Sequence, residues 1–217
     1  MKKMKISPIM VTVIAILQTI LMLSVQPAAF AEKIEGDEGP NTLIGTPGND
    51  KIDSKGGNDN NFGDTVEGDG SGNDKINSGE GFDINRGDTN FGDGSGDDKI
   101  NSGTGGDVNS GDTFEGDGSG DDKINSGEGN DFNVGDTQFG DGSGDDKINS
   151  GKGDDVNIGD SGDGTGSGDD KINAGQGDDE LTGNGGADKF QCGKGEDTVT
   201  DFNEEEGDKA TGNCENI

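Results

Sequence analysis

Aspartates recur in this sequence at a spacing suited to binding cations. Asp74 is followed nine residues later by Asp83, and the pair recurs 24 residues further on as Asp98 and Asp107. Each aspartate follows a glycine-rich turn, in which positive φ angles and close backbone approach can turn carbonyl oxygens inward. Carboxylate and carbonyl oxygens are the hard donors that Ca²⁺ selects, so the spacing predicts multiple bound Ca²⁺ ions. The predicted ligands are Asp50, Asp59, Asp74, Asp83, Asp98, Asp107, Asp122, Asp131, Asp146, Asp155, Asp170, Asp179, Asp188 and Asp197.

These aspartates belong to an internal repeat of 24 residues. The segment GDGSGDDKINSG occurs at 92–103, 116–127 and 140–151, with near copies at 68–79 and 164–175. Each period contains two nonapeptides and a six-residue insert such as 87–92. From Asp170 onwards the spacing is nine residues without an insert. A fixed period of this length indicates a solenoid or a related repeat architecture.

The nonapeptide has the form x-G-x-G-x-D-x-U-x, where U is a large apolar residue, as in TGSGDDKIN at 165–173. Over residues 43–203 the chain resembles the RTX, or haemolysin-type, calcium-binding repeat family. Residues 197–203 also resemble the closing segment of such arrays in serralysin-type proteins. The resemblance implies an all-β fold, a parallel β-roll (right-handed β-solenoid), in which successive turns share each Ca²⁺ ion.

The residues after each aspartate predict a short strand. In Lys75-Ile76-Asn77, alternation places Ile76 on one face and its neighbours on the other. Two nonapeptides then form one coil, so that the turns ending at Asp50, Asp74 and their 24-residue successors stack on one edge. The turns ending at Asp59, Asp83 and their successors stack on the other edge. Seven turns on each edge leave six gaps, so twelve ions are the idealised ceiling.

Charge makes the predicted fold depend on metal. Strands stack about 4.8 Å apart, and aspartates at that separation repel by roughly 3–4 kcal/mol per pair at an effective dielectric constant near 20. Only 24% of the residues are hydrophobic, so burial of apolar side chains cannot offset that repulsion many times over. We therefore expect Ca²⁺ binding to supply folding energy.

Two features depart from the nonapeptide pattern. Asparagine replaces the apolar U residue at Asn61, Asn85, Asn109, Asn133 and Asn157, with an apolar residue one place earlier in most copies. Either these asparagines form an inward ladder, or the strand slips by one residue and reverses its faces. The six-residue inserts either bulge as loops, which we expect, or add a third short strand, since Thr65, Thr89, Thr113 and Thr137 keep the 24-residue step.

The N-terminus is typical of an export signal. Lys2, Lys3 and Lys5 precede an apolar run from Ile9 to Val25, and Ala29-Phe30-Ala31 fits a small-residue cleavage site. Cleavage after Ala31 would leave 13 basic against 47 acidic residues, a net charge of −34. Such a surface argues against nucleic acid and, after signal cleavage, against anionic membranes. We expect a secreted, extracellular protein whose partners are calcium and, beyond it, a cell-surface or matrix component.

The predicted organisation is a signal peptide at 1–31, a short leader at 32–42, 24-residue repeats at 43–164, nonapeptide calcium-binding repeats at 165–200 and a C-terminal cap at 201–217. In an oxidising compartment, Cys192 and Cys214 are candidates for a disulfide that pins the cap. The chain has no histidine for a catalytic triad or a zinc site, so we expect a structural or adhesive protein and not an enzyme. The alternative is an ice-binding or matrix-adhesive solenoid that uses threonine and asparagine faces.

Overall fold

The computed structural model describes residues 30–163 and 166–217, so the predicted signal peptide at 1–31 lies almost wholly outside it. The described residues form eighteen strands and no helix. Within those two ranges there is accordingly no helix that could cross a membrane. The predicted all-β fold is confirmed.

The chain alternates between two parallel nine-stranded sheets, and every coil adds one strand to each. Sheet A contains β1 (Lys33–Glu35), β3 (Lys51–Asp53), β5 (Lys75–Glu80), β7 (Lys99–Thr104), β9 (Lys123–Glu128), β11 (Lys147–Lys152), β13 (Lys171–Gln176), β15 (Lys189–Lys194) and β17 (Lys209–Thr211). Sheet B contains β2 (Thr42–Ile44), β4 (Asn60–Phe62), β6 (Ile84–Arg86), β8 (Val108–Ser110), β10 (Phe132–Val134), β12 (Val156–Ile158), β14 (Glu180–Thr182), β16 (Asp197–Val199) and β18 (Cys214–Asn216). This is the predicted parallel β-roll, and its first coil already begins at β1.

Sheet A supplies the apolar half of the core. Its strands pair in register, with Ile76 opposite Ile100 and Lys75 opposite Lys99. Lys75 is exposed and Ile76 is fully buried, as alternation predicts. The same inward position forms a continuous apolar ladder of Ile52, Ile76, Ile100, Ile124, Ile148, Ile172 and Phe190.

Sheet B supplies a polar half, because its asparagines point inward. Asn61, Asn85, Asn109, Asn133 and Asn157 are fully buried. The Nδ2 of each of the first four donates to the Oδ1 of the asparagine one coil further on, at 2.9 Å in all four links. The apolar neighbours, such as Val108, lie half-buried on the outer face. The strand therefore does not slip: it accepts a buried amide ladder in which nearly every polar atom has a partner.

Serines on sheet A complete this polar interior. Ser102 Oγ accepts a hydrogen bond from Asn109 Nδ2 at 2.9 Å, and Ser78 Oγ donates to Asn85 Oδ1 at 2.7 Å. In the last coils both partners change together: leucine or valine replaces the asparagine, and alanine or cysteine replaces the serine seven residues before it. The buried positions there are Ala174, Leu181, Cys192 and Val199. The facing asparagine and serine positions of a coil are therefore both polar or both apolar, which avoids unpaired buried amides.

The six-residue inserts form a third stacked layer. Isolated parallel bridges join Glu67 to Phe91, Phe91 to Glu115 and Glu115 to Phe139. Backbone bonds also link the inserts directly, as between the Asp88 amide and the Asp112 carbonyl at 3.0 Å. Our expectation of bulging loops is wrong, because these backbone groups pair between coils as a strand's would. The contacts between neighbouring inserts are nevertheless isolated bridges, and the inserts do not form β-strands.

The insert layer packs against part of the outer face of sheet B. Phe62, Arg86 and Val134 are buried beneath it, and the Arg86 guanidinium lies 5.0 Å from the centroid of the Phe114 ring. Burial lowers the pKa of Arg86 to about 10. Of the four threonines that keep the 24-residue step, Thr89, Thr113 and Thr137 are fully buried and Thr65 is half-buried. The three buried threonines therefore form an internal packing surface.

The C-terminal end of the roll is closed covalently. A disulfide joins Cys192 to Cys214, as predicted, and ties β18 to the buried face of β15. The Phe202 ring packs 6.5 Å from that of Phe190, centroid to centroid. The last coils thus combine an apolar interior with a covalent link over the end of the stack.

The asparagine ladder predicts that the stability cost of removing one asparagine depends on its position along the stack. Asn109→Leu removes two amide links and leaves Asn85 Nδ2 and Asn133 Oδ1 buried without partners. We expect a loss of about 2–4 kcal/mol in the free energy of unfolding. Urea unfolding at saturating Ca²⁺, followed by far-UV circular dichroism, measures it.

The matched control is Asn157→Leu at the end of the ladder. Asn157 Nδ2 already lacks a partner, and Leu181 stands opposite on the next strand. This change should cost about 1 kcal/mol or less. Equal costs at the two positions would show that the amide links do not act as a ladder.

Candidate metal centres

The predicted aspartates lie in two stacks, one along each edge of the roll. The insert edge connects sheet B to sheet A, and its turns end at Asp50, Asp74, Asp98, Asp122, Asp146, Asp170 and Asp188. The plain edge connects sheet A to sheet B, and its turns end at Asp59, Asp83, Asp107, Asp131, Asp155, Asp179 and Asp197. Each of these fourteen aspartates is at least 97% buried. The structure thus groups them by edge as the nine-residue step predicts.

One carboxylate oxygen of each aspartate continues the backbone pairing. The Asp98 amide donates to Asp122 Oδ1 at 2.7 Å on the insert edge, and the Asp107 amide donates to Asp131 Oδ1 at 2.8 Å on the plain edge. The same bond repeats along both stacks. Asp208 and Glu215 extend the stacks by one acceptor each. Neither residue follows a glycine-rich nonapeptide turn, so the repeat pattern does not predict them.

The other carboxylate oxygen, Oδ2, is buried and accepts no hydrogen bond. Asp50 differs, since its Oδ2 accepts from Thr46. The remaining thirteen are the Oδ2 atoms of Asp59, Asp74, Asp83, Asp98, Asp107, Asp122, Asp131, Asp146, Asp155, Asp170, Asp179, Asp188 and Asp197. Buried carboxylate oxygens without partners are costly unless a cation or a proton satisfies them.

Glycines leave room around these oxygens. A Cβ built on Gly111 would lie 1.9 Å from Asp122 Oδ2 and 1.7 Å from the Gly135 carbonyl oxygen. Any side chain at this position would collide with both. Carboxylate and carbonyl oxygens therefore converge where the glycine has no side chain. This donor set, oxygen only, suits Ca²⁺.

The structure adds five ligand candidates that sequence reasoning missed. They lie at the start of each insert and are fully buried: Asp64, Asp88, Asp112, Asp136 and Asp160. Each lies between two aspartates of the insert edge, and one oxygen from each of the three falls within 4.8 Å of the others, as in Asp98, Asp112 and Asp122. The Gly-Asp-Thr that recurs in four inserts, and the Gly-Asp-Ser at 159–161, could have indicated these aspartates, but an insert taken as a loop gives no reason to place them beside the edge aspartates.

Burial raises the pKa values along both edges, and neighbouring carboxylates raise them further. On the insert edge the pKa of Asp74 rises to about 8 and that of Asp160 to about 9. That of Asp122 lies well above its usual range. On the plain edge the pKa of Asp83 rises only to about 6 and that of Asp107 to about 7. Without a cation, the carboxylates are therefore poorly tolerated as anions, most of all on the insert edge.

Comparison with protein families finds four copies of the RTX calcium-binding nonapeptide repeat, at residues 29–60, 64–84 and 164–199. Comparison with curated proteins and with solved structures gives no match. The matched ranges leave out residues 85–163, where the same coils continue with their inserts. They end at residue 199, so the resemblance of 197–203 to a serralysin-type ending stays a prediction. The aspartate stacks, the glycine turns and the parallel roll all accord with the matched repeat. The chain therefore contains RTX-type calcium-binding nonapeptide repeats over the matched ranges.

Proposed function

We propose that this protein is a secreted calcium-binding repeat protein that folds on Ca²⁺ coordination and acts as a structural or adhesive element outside the cell. The observation that carries the proposal is the row of buried, unpartnered Oδ2 atoms along both edges. The proposal includes no catalytic step. All fourteen aspartates predicted from the sequence take part as ligands.

Coordination between successive turns explains the geometry. Asp98 and Asp122 offer their Oδ2 atoms to the gap between their coils, where glycine carbonyls add further oxygens. Shared coordination converts the repulsion between two carboxylates into attraction to a common cation. Six gaps on each edge keep twelve ions as the ceiling for these ligands.

An extracellular location follows from the same chemistry. Sites of this type suit calcium concentrations outside the cell, which reach the millimolar range, and the Cys192–Cys214 disulfide suits an oxidising compartment. A solenoid surface held by calcium can present repeated side chains to a cell-surface or matrix partner. Burial of Thr89, Thr113 and Thr137 argues against the threonine part of the threonine and asparagine faces that the ice-binding alternative would use.

The first prediction concerns calcium. The mature chain, from residue 32, should be largely disordered in EDTA and gain β structure at roughly micromolar to millimolar Ca²⁺. Mg²⁺ should substitute poorly, because it requires tighter octahedral geometry and retains its waters. A far-UV circular dichroism titration with each ion tests this. Identical spectra in EDTA and in Ca²⁺ would rule out folding on calcium.

The second prediction concerns acid. The aspartates have raised pKa values in the folded chain, such as about 8 for Asp74 and about 6 for Asp83, against about 3.9 when unfolded. The folded chain then binds more protons, so its metal-free stability falls as pH rises from about 4 through about 8. In EDTA, β structure should therefore increase on acidification. With Ca²⁺ present, acid should instead displace the ion. A circular dichroism signal in EDTA that does not change with pH would contradict this account.

The third prediction concerns export. If the basic start and apolar run form a signal peptide, the secreted protein should begin at Glu32. N-terminal sequencing of the protein recovered from the culture medium provides the measurement. A membrane-retained product that begins at Met1 would refute cleavage without affecting the calcium proposal.

A further inference from the structure

We infer that the insert aspartates complete a second and tighter class of calcium site, restricted to the insert edge, so that the two edges of the roll fill at different calcium concentrations. This inference rests on the proposed function, because it assumes that the edge aspartates bind Ca²⁺. Its ligands lie outside the nonapeptide pattern. Four of the five insert aspartates, Asp88, Asp112, Asp136 and Asp160, also lie outside the ranges matched by the family comparison.

The insert aspartates have free ligand atoms in a closed environment. Both carboxylate oxygens of Asp112 are buried without a hydrogen-bond partner, and so are both of Asp160. Asp64 and Asp88 each keep one such oxygen, while the other accepts from the amide of Ser71 or Ser95. Side chains that only supported the turn would have their oxygens satisfied by nearby amides.

Three carboxylates meet at each step of the insert edge. In the triad of Asp98, Asp112 and Asp122, one oxygen from each residue lies within 4.8 Å of the other two. Ligands of one Ca²⁺ ion lie about 2.3–2.6 Å from it, so their mutual separations fall at or below about 5 Å. The oxygens of each triad can therefore share a single ion. The five triads are Asp50/Asp64/Asp74, Asp74/Asp88/Asp98, Asp98/Asp112/Asp122, Asp122/Asp136/Asp146 and Asp146/Asp160/Asp170.

Charge stoichiometry separates the two edges. Neighbouring triads share one aspartate, so each step along the insert edge adds two carboxylates, such as Asp112 and Asp122. One Ca²⁺ ion per step neutralises them. The plain edge adds only one stacked carboxylate per step, such as Asp131, and one ion leaves an excess positive charge. A neutral buried cluster is much cheaper than a charged one, and a higher carboxylate count tightens calcium sites.

Backbone contacts link the insert-edge sites to the third layer. The Asp112 amide donates to the Asp136 carbonyl at 3.0 Å, so the insert carboxylates repeat in register with the strands. Cations held by these residues would fix the insert against the turn that leads to sheet A. The insert edge should therefore be ordered first as calcium rises, and the plain edge later. The gap between the turns that end at Asp170 and Asp188 has no insert aspartate, so the site in that gap falls into the weaker class.

Matched triple variants of the mature protein test the inference. Asp88→Asn, Asp112→Asn and Asp136→Asn together remove three insert carboxylates with little change of shape. The control combines Asp83→Asn, Asp107→Asn and Asp131→Asn on the plain edge of the same coils. Equilibrium dialysis against calcium-45 over a range of free Ca²⁺ gives the number of ions in each affinity class.

The wild type should show five tight ions and a separate weaker class. The insert variant should lose three of the tight ions, with dissociation constants raised on the order of tenfold or more. The control should keep all five and lose ions from the weaker class. Equal losses from one affinity class in both variants, or five tight ions in the insert variant, would overturn the inference. A wild type that binds no calcium would instead refute the proposed function.

Single variants keep the test informative if a triple variant fails to fold. Asp112→Asn removes a buried negative charge, so at about pH 8 in EDTA it should favour the folded state by relieving repulsion. With Ca²⁺ it should raise the midpoint concentration for folding more than its control, Asp107→Asn. If Asp112 had only a structural role, Asp112→Asn would change the stability of the folded state in the same direction in EDTA and in Ca²⁺. That result would contradict a ligand role for Asp112.

Discussion

Repulsion between stacked, buried carboxylates is the constraint on which the rest of this structure depends. Successive aspartates on each edge pair through Oδ1 and a backbone amide, which holds their Oδ2 atoms one above another without a partner. The described lysines give no relief, because the ion pairs Lys33–Glu35 and Lys152–Glu128 lie outside both stacks. Under the proposed function, cations between the turns would remove the repulsion, so the same residues that destabilise the metal-free roll would stabilise the loaded one.

The composition of the interior explains why the stability of the roll would depend strongly on cations. One wall of the core is the isoleucine ladder of sheet A, and the other is a hydrogen-bonded ladder of asparagines. Buried amides contribute register and specificity, but little net free energy compared with apolar side chains. The last coils, around Leu181, Phe190 and Val199, are apolar on both sides, and these coils carry the disulfide. Stability in a solenoid is nearly a sum over neighbouring coils, so most coils of this roll have little to offset their charge.

The sequence predicts the features that follow from strict periodicity. The isoleucine ladder, the two aspartate stacks and the parallel roll result from the nine-residue and 24-residue steps. The asparagine ladder stayed ambiguous, because a one-residue slip would have turned Val108 inward in place of Asn109. The deciding residue was Ser102, seven positions earlier, whose hydroxyl gives Asn109 a partner across the core. The insert aspartates were missed because backbone pairing between inserts has no signal in side-chain alternation.

The positions of the ions test the central claim most directly. Crystals of the mature protein grown with Ca²⁺ and measured at a long X-ray wavelength would reveal calcium by anomalous scattering. The account predicts rows of peaks along both edges, each between carboxylates of successive turns, such as Asp98 with Asp122 and Asp107 with Asp131. A folded roll whose edges show no anomalous peaks, or whose peaks lie only at exposed aspartates, would contradict it.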